Sequence, residues 1–223
     1  MVALFVIGTF LFFLLLDYFV QRAARKREAT VEQPLPERFL IPRGYFFAPK
    51  HSWLEVLGSG HARVGIDDFV QKIVGAVDNV EIAPLNSVVK QGAPIMTIRQ
   101  GTRTLACSAP VSGKIVQVNE ALIQSPAILR TDPYVAGWIA VIEPQDLSGD
   151  IKGFTIADEA AQWLRNEVSR FREFINARNP QVALAGATML DGGAPVVGTL
   201  QNAPDLDWKA FETEFLMPET RKQ

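Results

Sequence analysis

The chain has 223 residues, of which 48% are hydrophobic and 21% are charged, a balance typical of a globular protein. The net charge of −2 gives no electrostatic reason to expect nucleic-acid binding. The single cysteine, Cys107, excludes an internal disulfide, and two histidines, His51 and His61, are too few for a Cys/His zinc cluster.

The first element is an apolar run over residues 2–20 in which Asp17 is the only charged residue. A helix over this run is roughly 28 Å long, close to the ~30 Å of a bilayer core. Asp17 and Tyr18 lie near one end, where they suit a membrane interface. A cleaved signal peptide is the alternative, but no basic residue precedes the run and no small-residue cleavage site follows it. The pattern favours a retained transmembrane helix over residues 1–21.

Basic residues follow the apolar run directly and none precedes it; they are Arg22, Arg25, Lys26 and Arg27. They also disfavour the interpretation of the run as a buried core helix. By the positive-inside rule, the N-terminus lies outside the inner (plasma) membrane and the main body is cytoplasmic. The sequence therefore predicts a single-pass protein that contacts the lipid bilayer.

Residues 22–50 form a linker that is basic at first and then rich in proline. Its prolines rule out a continuous helix; they are Pro34, Pro36, Pro42 and Pro49. The linker also carries too many apolar side chains for a free tether, Phe46 and Phe47 among them. We expect it to lie against the following domain or against a partner.

Residues 51–146 contain short apolar runs that alternate with polar residues and are separated by Gly, Pro, Asn and Asp. This pattern predicts a compact β domain. The stretch 67–75 is the exception, because Phe69, Val70, Ile73 and Val74 repeat at helical spacing. We expect a short helix there, with one carboxylate of the pair 67–68 as its cap. Residues 119–130 are a candidate for another helical turn.

Residues 147–180 contain the clearest soluble helix, predicted over 155–178. Thr155 is its candidate cap, with Asp158 at the capping-box position. One apolar stripe runs along it, formed by Ala160, Trp163, Leu164, Val168, Phe171, Phe174 and Ile175. The stripe is too wide to face water, so it packs either on the β domain or on a partner.

The C-terminal extension, 181–223, contains a hairpin-like turn at 191–193. Residues 205–219 form a candidate amphipathic helix with Trp208, Phe211 and Phe215 on one side. Neither piece can bury much surface alone. The extension either packs on another subunit or adds to the core of its own chain.

Four motifs stand in order along the β domain: HSW at 51–53, VGIDDFVQKIVG at 64–75, APVSGKIVQVNEAL at 109–122 and DPYVAGW at 132–138. Together they resemble the glycine cleavage H proteins, whose patterns are H-x-W, V-G-I-T-D-F-A-Q, S-P-V-S-G and D-P-Y-x-x-G-W. The resemblance implies an α+β fold with a lipoyl-type β-sandwich (a barrel-sandwich hybrid) and a C-terminal amphipathic helix. It covers neither the membrane segment, nor the linker, nor the last forty residues.

The resemblance also implies a lipoyl-lysine within E-S-V-K-A, on a hairpin, eight positions before the proline of P-V-S-G. Here that position is Thr102, counted from Pro110, and Arg99 stands where the family has glutamate. A threonine hydroxyl cannot form the stable lipoyl amide, and the nearest lysines, Lys90 and Lys114, lie outside the tip. We therefore expect a degenerate site without a cofactor.

Most other motif residues have a structural explanation. Four glycines suit tight backbone positions, namely Gly65, Gly75, Gly113 and Gly137. Three aromatic residues are expected in the core, namely Trp53, Phe69 and Trp138. We expect Cys107 to be a small core residue, His51 to be structural or at the surface, and His61 to be exposed.

The sequence contains no phosphate-binding loop, dinucleotide fingerprint or nucleophile elbow, so we expect no enzyme activity. The leading hypothesis is a non-catalytic accessory subunit of an inner-membrane complex, of respiratory or photosynthetic reaction-centre type. Its cytoplasmic domain would brace integral membrane subunits in a hetero-oligomer. The alternative is a membrane-tethered carrier or docking module. Candidate partner contacts are Arg99, Arg103, Phe46, Phe47, Trp208 and Phe211.

Overall fold

A computed structural model describes residues 39–178, 197–201 and 203–217 of the chain. The predicted runs form strands; some alternate between buried and exposed residues, and others are buried over most of their length. The strands are Phe46–Phe47 (β1), Ser52–Val56 (β2), Ala62–Ile66 (β3), Asn79–Ile82 (β4), Val88–Val89 (β5), Pro94–Gln100 (β6), Arg103–Ser108 (β7), Gly113–Val118 (β8), Ala140–Pro144 (β9) and Thr155–Ile156 (β10).

The strands form two antiparallel sheets that enclose the core. The larger has seven strands in the order β10-β1-β2-β3-β9-β8-β5, and the smaller has three in the order β4-β6-β7. β6 and β7 form a hairpin, and β7 is an edge strand of the smaller sheet. The mixed α+β architecture with a β-sandwich confirms that part of the sequence prediction.

Short helices connect the strands, and a long one follows them. They are Asp68–Val74 (α1), Glu120–Gln124 (α2), Ile128–Thr131 (α3), Leu147–Asp150 (α4), Ala157–Arg178 (α5) and Asp205–Phe211 (α6), which continues into a π-helical turn at Glu212–Leu216. The predicted cap of α1 is confirmed at Asp67, whose side chain accepts a hydrogen bond from the Val70 amide at 3.1 Å. The helical turn expected within residues 119–130 is also confirmed, as α2 and α3.

Two glycines in the sandwich occupy positions where no side chain fits. A Cβ on Gly65 would lie 2.3 Å from the ring of Trp53, which is fully buried. A Cβ on Gly113 would lie 2.2 Å from the carbonyl oxygen of Glu143 on the neighbouring strand. Both approaches are far below van der Waals contact, so the tight packing expected of these positions is confirmed.

The described part of the linker lies against the domain. Phe39 packs on Phe69 with ring centroids 5.6 Å apart. The Leu40 carbonyl accepts a hydrogen bond from the Tyr134 hydroxyl at 2.7 Å. Phe46 and Phe47 form β1 between β10 and β2, and the Phe47 side chain is buried. The linker was expected to lie either against the following domain or against a partner. Its described residues pack on their own domain.

Helix α5 confirms the predicted long helix, but its start differs from the prediction. Thr155 does not cap it; Thr155 pairs with Phe47 in the sheet, and its hydroxyl oxygen has no hydrogen-bond partner among the described residues. The helix begins at Ala157, which has a positive φ of 47°. The cap prediction fails because the helix begins two residues after Thr155, so that Ile156 and not Thr155 directly precedes its first residue.

The C-terminal segment also packs on its own chain. We call residues 197–201 and 203–217 the C-terminal cover. Its helix α6 confirms the predicted amphipathic helix, with Trp208, Phe211 and Phe215 all buried against the body. The cover is therefore an extension of the core, which was one of the two alternatives.

Several predictions fall outside the described residues. They concern the membrane helix at 1–21 with its interface residues Asp17, Tyr18, Arg22, Arg25, Lys26 and Arg27, and the turn at 191–193. Within the ranges that the structure does describe, no helix is both long and apolar enough to cross a bilayer.

Candidate functional site

The hairpin β6–β7 ends in a two-residue turn, Gly101-Thr102, between the paired residues Gln100 and Arg103. Gly101 has a positive φ of 58°, as the first position of a tight hairpin turn requires. Both turn residues are exposed. Thr102, the position eight before Pro110, is thus at the outermost point of the hairpin.

One side of the tip is fixed to the segment between α1 and β4. The Gly101 amide donates to Asp78 Oδ2 at 2.7 Å, and the Asp78 amide donates to the Arg99 carbonyl at 3.0 Å. The Gln100 side-chain amide donates to the Ala76 carbonyl. These bonds hold the turn in one orientation.

Arg99 lies on the exposed face of β6 and pairs with Glu81 of β4. Its Nε is 2.7 Å from Glu81 Oε1. This hydrogen bond and the charge of Arg99 hold the pKa of Glu81 below its ordinary value. The pair is open to solvent, so it adds little stability, and a partner can reach both groups.

Arg103 turns toward the C-terminal cover instead of toward solvent. Its Nε lies 2.7 Å from Asp205 Oδ1, and another guanidinium nitrogen donates to the Gln201 carbonyl at 3.0 Å. Its guanidinium carbon lies 5.5 Å from the centre of the Trp208 ring, within cation–π range. The expectation that Arg103 is available to a partner is corrected: two of its guanidinium nitrogens are bonded within the chain, and its side chain is only 25% exposed.

The cover also bonds to the outer edge of β7. The Ala106 amide donates to Glu212 Oε1 at 2.7 Å, and the Ser108 hydroxyl donates to the Leu216 carbonyl at 2.9 Å. An exposed strand edge is a template for pairing with another chain, and covering it with a helix is one way proteins prevent this. The cover therefore occupies the edge along which a foreign strand would otherwise add.

An aromatic cluster joins the cover to the body. It consists of Phe69 from α1, Phe171 and Phe174 from α5, and Phe211 and Phe215 from the cover. The Phe211 and Phe215 rings stack at 4.9 Å, and Phe171 meets Phe211 edge-on at 5.7 Å.

This burial corrects the expectation that Phe47, Trp208 and Phe211 contact a partner. Their exposed fractions are 1%, 2% and 0%. Phe46 is half-buried and packs on the same core. Arg99 is therefore the one predicted contact whose side chain remains largely exposed on the described surface.

His51 is structural, as expected, and fully buried. Its Nδ1 lies 2.7 Å from Asp67 Oδ2, and its Nε2 lies 3.2 Å from Glu167 Oε2. Burial alone would lower the pKa of His51, but the charges and hydrogen bonds of Asp67 and Glu167 outweigh it and raise that pKa. His61, expected to be exposed, is half-buried.

Cys107 is a core residue, as predicted. Its side chain is buried, and this burial raises the pKa of its thiol to about 12. The thiol is therefore protonated at neutral pH and unreactive as a nucleophile. Among the described residues, no group of three or more His, Cys, Asp or Glu side chains could hold a metal ion.

Sequence reasoning missed Glu167, Asp205 and Glu212. The sequence did carry a signal for Glu167, because it stands three residues after Leu164 and four before Phe171, on the buried face of α5. Nothing local marks Asp205 or Glu212, whose partners Arg103 and Ala106 lie about a hundred residues away in the chain.

The sandwich with its hairpin has the lipoyl-type fold that the resemblance implies. The model of the glycine cleavage H-protein family matches residues 45–167, more than half of the chain. The chain belongs to the glycine cleavage H-protein family.

Two curated relatives and one solved structure are similar to part of this chain. A probable glycine cleavage system H protein of Pyrococcus furiosus is 35% identical over 57% of this chain and 94% of its own length. Glycine cleavage system H protein 4 of Aquifex aeolicus is 34% identical over 61% of this chain and 79% of its own. A crystal structure of the H protein from Mycobacterium marinum aligns with 57% of this chain and 98% of its own at 25% identity and a TM-score of 0.47.

The residues at the tip do not fit a lipoyl group. The attachment position is Thr102, and the hairpin from Pro94 to Ser108 contains no lysine. Lys90 and Lys114 lie near β5 and in β8, not on the hairpin. The chain therefore has the fold of the family, but its hairpin lacks the lysine to which a lipoyl group would be attached.

Proposed function

We propose that this chain is a non-catalytic docking module, tethered to a membrane, that has kept the H-protein frame and does not carry a lipoyl group. The observation that carries the proposal is Thr102 at the outermost turn of the hairpin. A lysine amine forms a lasting amide with a carboxylic acid, whereas a hydroxyl could form only a hydrolysable ester. Membership of the family supports the H-protein fold. Thr102 at the attachment position supports the absence of a lipoyl group.

The fixation of the hairpin supports docking over carriage. A carrier needs a tip that can present its arm to successive enzymes. Here Gly101 is bonded to Asp78, and Arg103 is bonded to Asp205 and Gln201. A hairpin turn that is fixed on both sides suits binding to one partner surface. Because the turn is already ordered, little conformational entropy is lost when a partner binds it.

The tether is proposed from the sequence. The apolar run at 2–20 and the basic residues after it favour a single span with the main domain on the cytoplasmic side. The partner that we propose is an integral membrane complex, in which this chain is one subunit of a hetero-oligomer. A respiratory or photosynthetic assembly is a suitable host.

Expression of the full chain in a lipoylating host, followed by measurement of the intact mass, tests whether the chain carries a lipoyl group. The wild-type chain should show no lipoyl adduct. The matched variant carries Arg99→Glu and Thr102→Lys, which restore the glutamate and lysine of the family pattern, and it should acquire the adduct. A lipoyl adduct on the wild-type chain would overturn the proposal.

Gentle detergent extraction and size analysis test the docking role. The full chain should elute with other membrane proteins as one species larger than itself. A monodisperse monomer without further subunits would contradict docking, whatever the outcome of the lipoylation experiment.

A further inference from the structure

Three segments of the chain converge on the buried imidazole of His51. Its ring stacks on Phe69 of α1 at 4.5 Å, lies 5.0 Å from Trp163 of α5, and lies 6.2 Å from Phe215 of the C-terminal cover. His51 itself has a positive φ of 62°, a strained conformation that its surroundings must hold in place. The body, the long helix and the cover thus meet at one titratable side chain.

Both imidazole nitrogens face carboxylates on different elements. Asp67 belongs to the body, and its second oxygen is occupied by the Val70 amide. Glu167 belongs to α5, and the oxygen that faces His51 also lies 2.6 Å from an Arg170 nitrogen. Asp67 also stands where the family pattern V-G-I-T-D-F-A has threonine, so one carboxylate of this arrangement is a departure from that pattern.

The protonation state of His51 decides whether both contacts are attractive. The imidazolium form has two N–H donors and satisfies both carboxylates. A neutral imidazole has one donor, so a lone pair of its other nitrogen must face a carboxylate oxygen. His51 is fully buried and the Glu167 side chain is mostly buried, so solvent screens that contact only weakly and it is repulsive. The proton stays on Nδ1, which makes the shorter hydrogen bond, to Asp67. Nε2 then has no proton, and its contact with Glu167 becomes unfavourable.

Other charged groups near the site leave this conclusion unchanged. Lys50 precedes His51 and lowers the pKa of Glu167 through its charge, as Arg170 does on α5. On the body, Asp68 pairs with Lys72 at 3.0 Å. On the cover, Glu214 extends to Arg178 at 2.9 Å. His51 is therefore the group next to Glu167 whose charge can change near neutral pH.

Helix α5 in turn holds the cover in place. Phe171 and Phe174 pack on Phe211 and Phe215, with ring centroids 5.7 and 5.5 Å apart in the pairs Phe171–Phe211 and Phe174–Phe215. Arg170 lies over the Phe215 ring at 4.2 Å. Movement of α5 away from the body would therefore loosen the cover, and with it the hydrogen bond that Glu212 accepts from the Ala106 amide.

We propose that His51, Asp67 and Glu167 form a proton-dependent clamp: the His51 imidazolium joins α5 to the body and so keeps the C-terminal cover on the edge of β7, and deprotonation of His51 loosens both. The clamp is a regulatory device, because it controls whether the edge of the hairpin strand is open to another chain. It does not depend on the proposed docking function.

The direction of the pH effect follows from the two pKa shifts. The pKa of His51 is raised, so its contribution to stability is complete below about 6.5 and is lost as pH rises through the higher folded-state pKa. The pKa of Glu167 is lowered: burial would raise it, but the hydrogen bond and charge of His51 and the charge of Arg170 outweigh burial. Its contribution is complete above about 4.3 and is lost as pH falls through the lower folded-state pKa. The clamp opens on the alkaline side.

Hydrogen exchange of the full chain in detergent micelles tests the clamp across neutral and alkaline pH. After correction for the intrinsic exchange rate, protection of the Ala106 amide should fall at alkaline pH, by about tenfold for each unit by which the His51 pKa exceeds ~6.5. The amide of Ile115, which donates to the Ser87 carbonyl in the larger sheet, serves as the reference. Nitrogen chemical shifts of the imidazole report the charge of His51 directly.

Glu167→Gln is the decisive variant. An amide can accept from or donate to Nε2, so the variant tolerates a neutral imidazole, and protection of Ala106 should become nearly independent of pH. Glu173→Gln, an exposed change on the same helix, should keep the wild-type profile. A pH-independent wild-type profile, an unchanged profile in Glu167→Gln, or a neutral His51 at pH 7 would each overturn the clamp.

Discussion

Replacement of Phe211 by alanine measures how strongly the C-terminal cover is attached to the body. The Phe211 side chain is fully buried and contacts the rings of Phe171, Phe174 and Phe215. Truncation of a buried phenylalanine costs about 3–5 kcal/mol, and its ring contacts place this site toward the upper end. If the cover unfolds together with the body, the whole loss appears in global stability. With a urea dependence of about 2 kcal/mol per M, the unfolding midpoint should fall by roughly 2 M.

Urea denaturation followed by circular dichroism gives the global midpoint. Exchange of two indole N–H groups separates the cover from the body: Trp208 Nε1 donates to Leu200 in the cover, and Trp53 Nε1 donates to Pro133 in the sandwich. Leu206→Ala, at a position of α6 that is 80% exposed, is the matched control and should cost less than about 0.5 kcal/mol. Faster exchange at Trp208 alone, with the Phe211→Ala midpoint unchanged, would refute a cover that folds as part of the core.

Three further predictions concern single positions. Gly113→Ala should destabilise the sandwich by more than about 2 kcal/mol in urea denaturation, because its Cβ would overlap the Glu143 carbonyl; unaltered stability would contradict this packing. Arg99→Ser should weaken co-purification with the proposed partner complex while thermal unfolding shows the domain still folded, because Arg99 is exposed at the tip; unchanged assembly would leave the tip without a docking role. The Cys107 thiol, with its pKa raised to about 12, should resist iodoacetamide in the native protein and react once urea unfolds it, and rapid native labelling would contradict its burial.

The features that the sequence predicted well depend on neighbours in the chain. Alternation places side chains on two faces of a strand without reference to the partner strand, so most strands could be located. The Asp67 cap could be predicted because its acceptor contact spans only three residues. The position of Thr102 followed from counting along the family pattern, and the structure puts it at the turn.

The features that the sequence did not reveal depend on distant residues. The spacing of Trp208, Phe211 and Phe215 indicated an apolar helix face, but not that Phe69 and Phe171 lie opposite it. Thr155 has the side chain of a good cap, yet it pairs with Phe47, far away in the chain, and the helix begins two residues after it. The local sequence does not indicate which distant residues will be in contact. The free energy of such a contact depends on the packing of the whole folded chain.

Native mass spectrometry of the chain, extracted gently from the membrane fraction of its own cells, is the most direct test of the proposal that it docks on a membrane complex without a lipoyl group. One spectrum reports both the modification state of the chain and the subunits bound to it. We predict an unmodified chain in a complex with integral membrane proteins. A lipoyl adduct on any of its lysines would contradict the proposal, and so would a chain that carries no bound subunits.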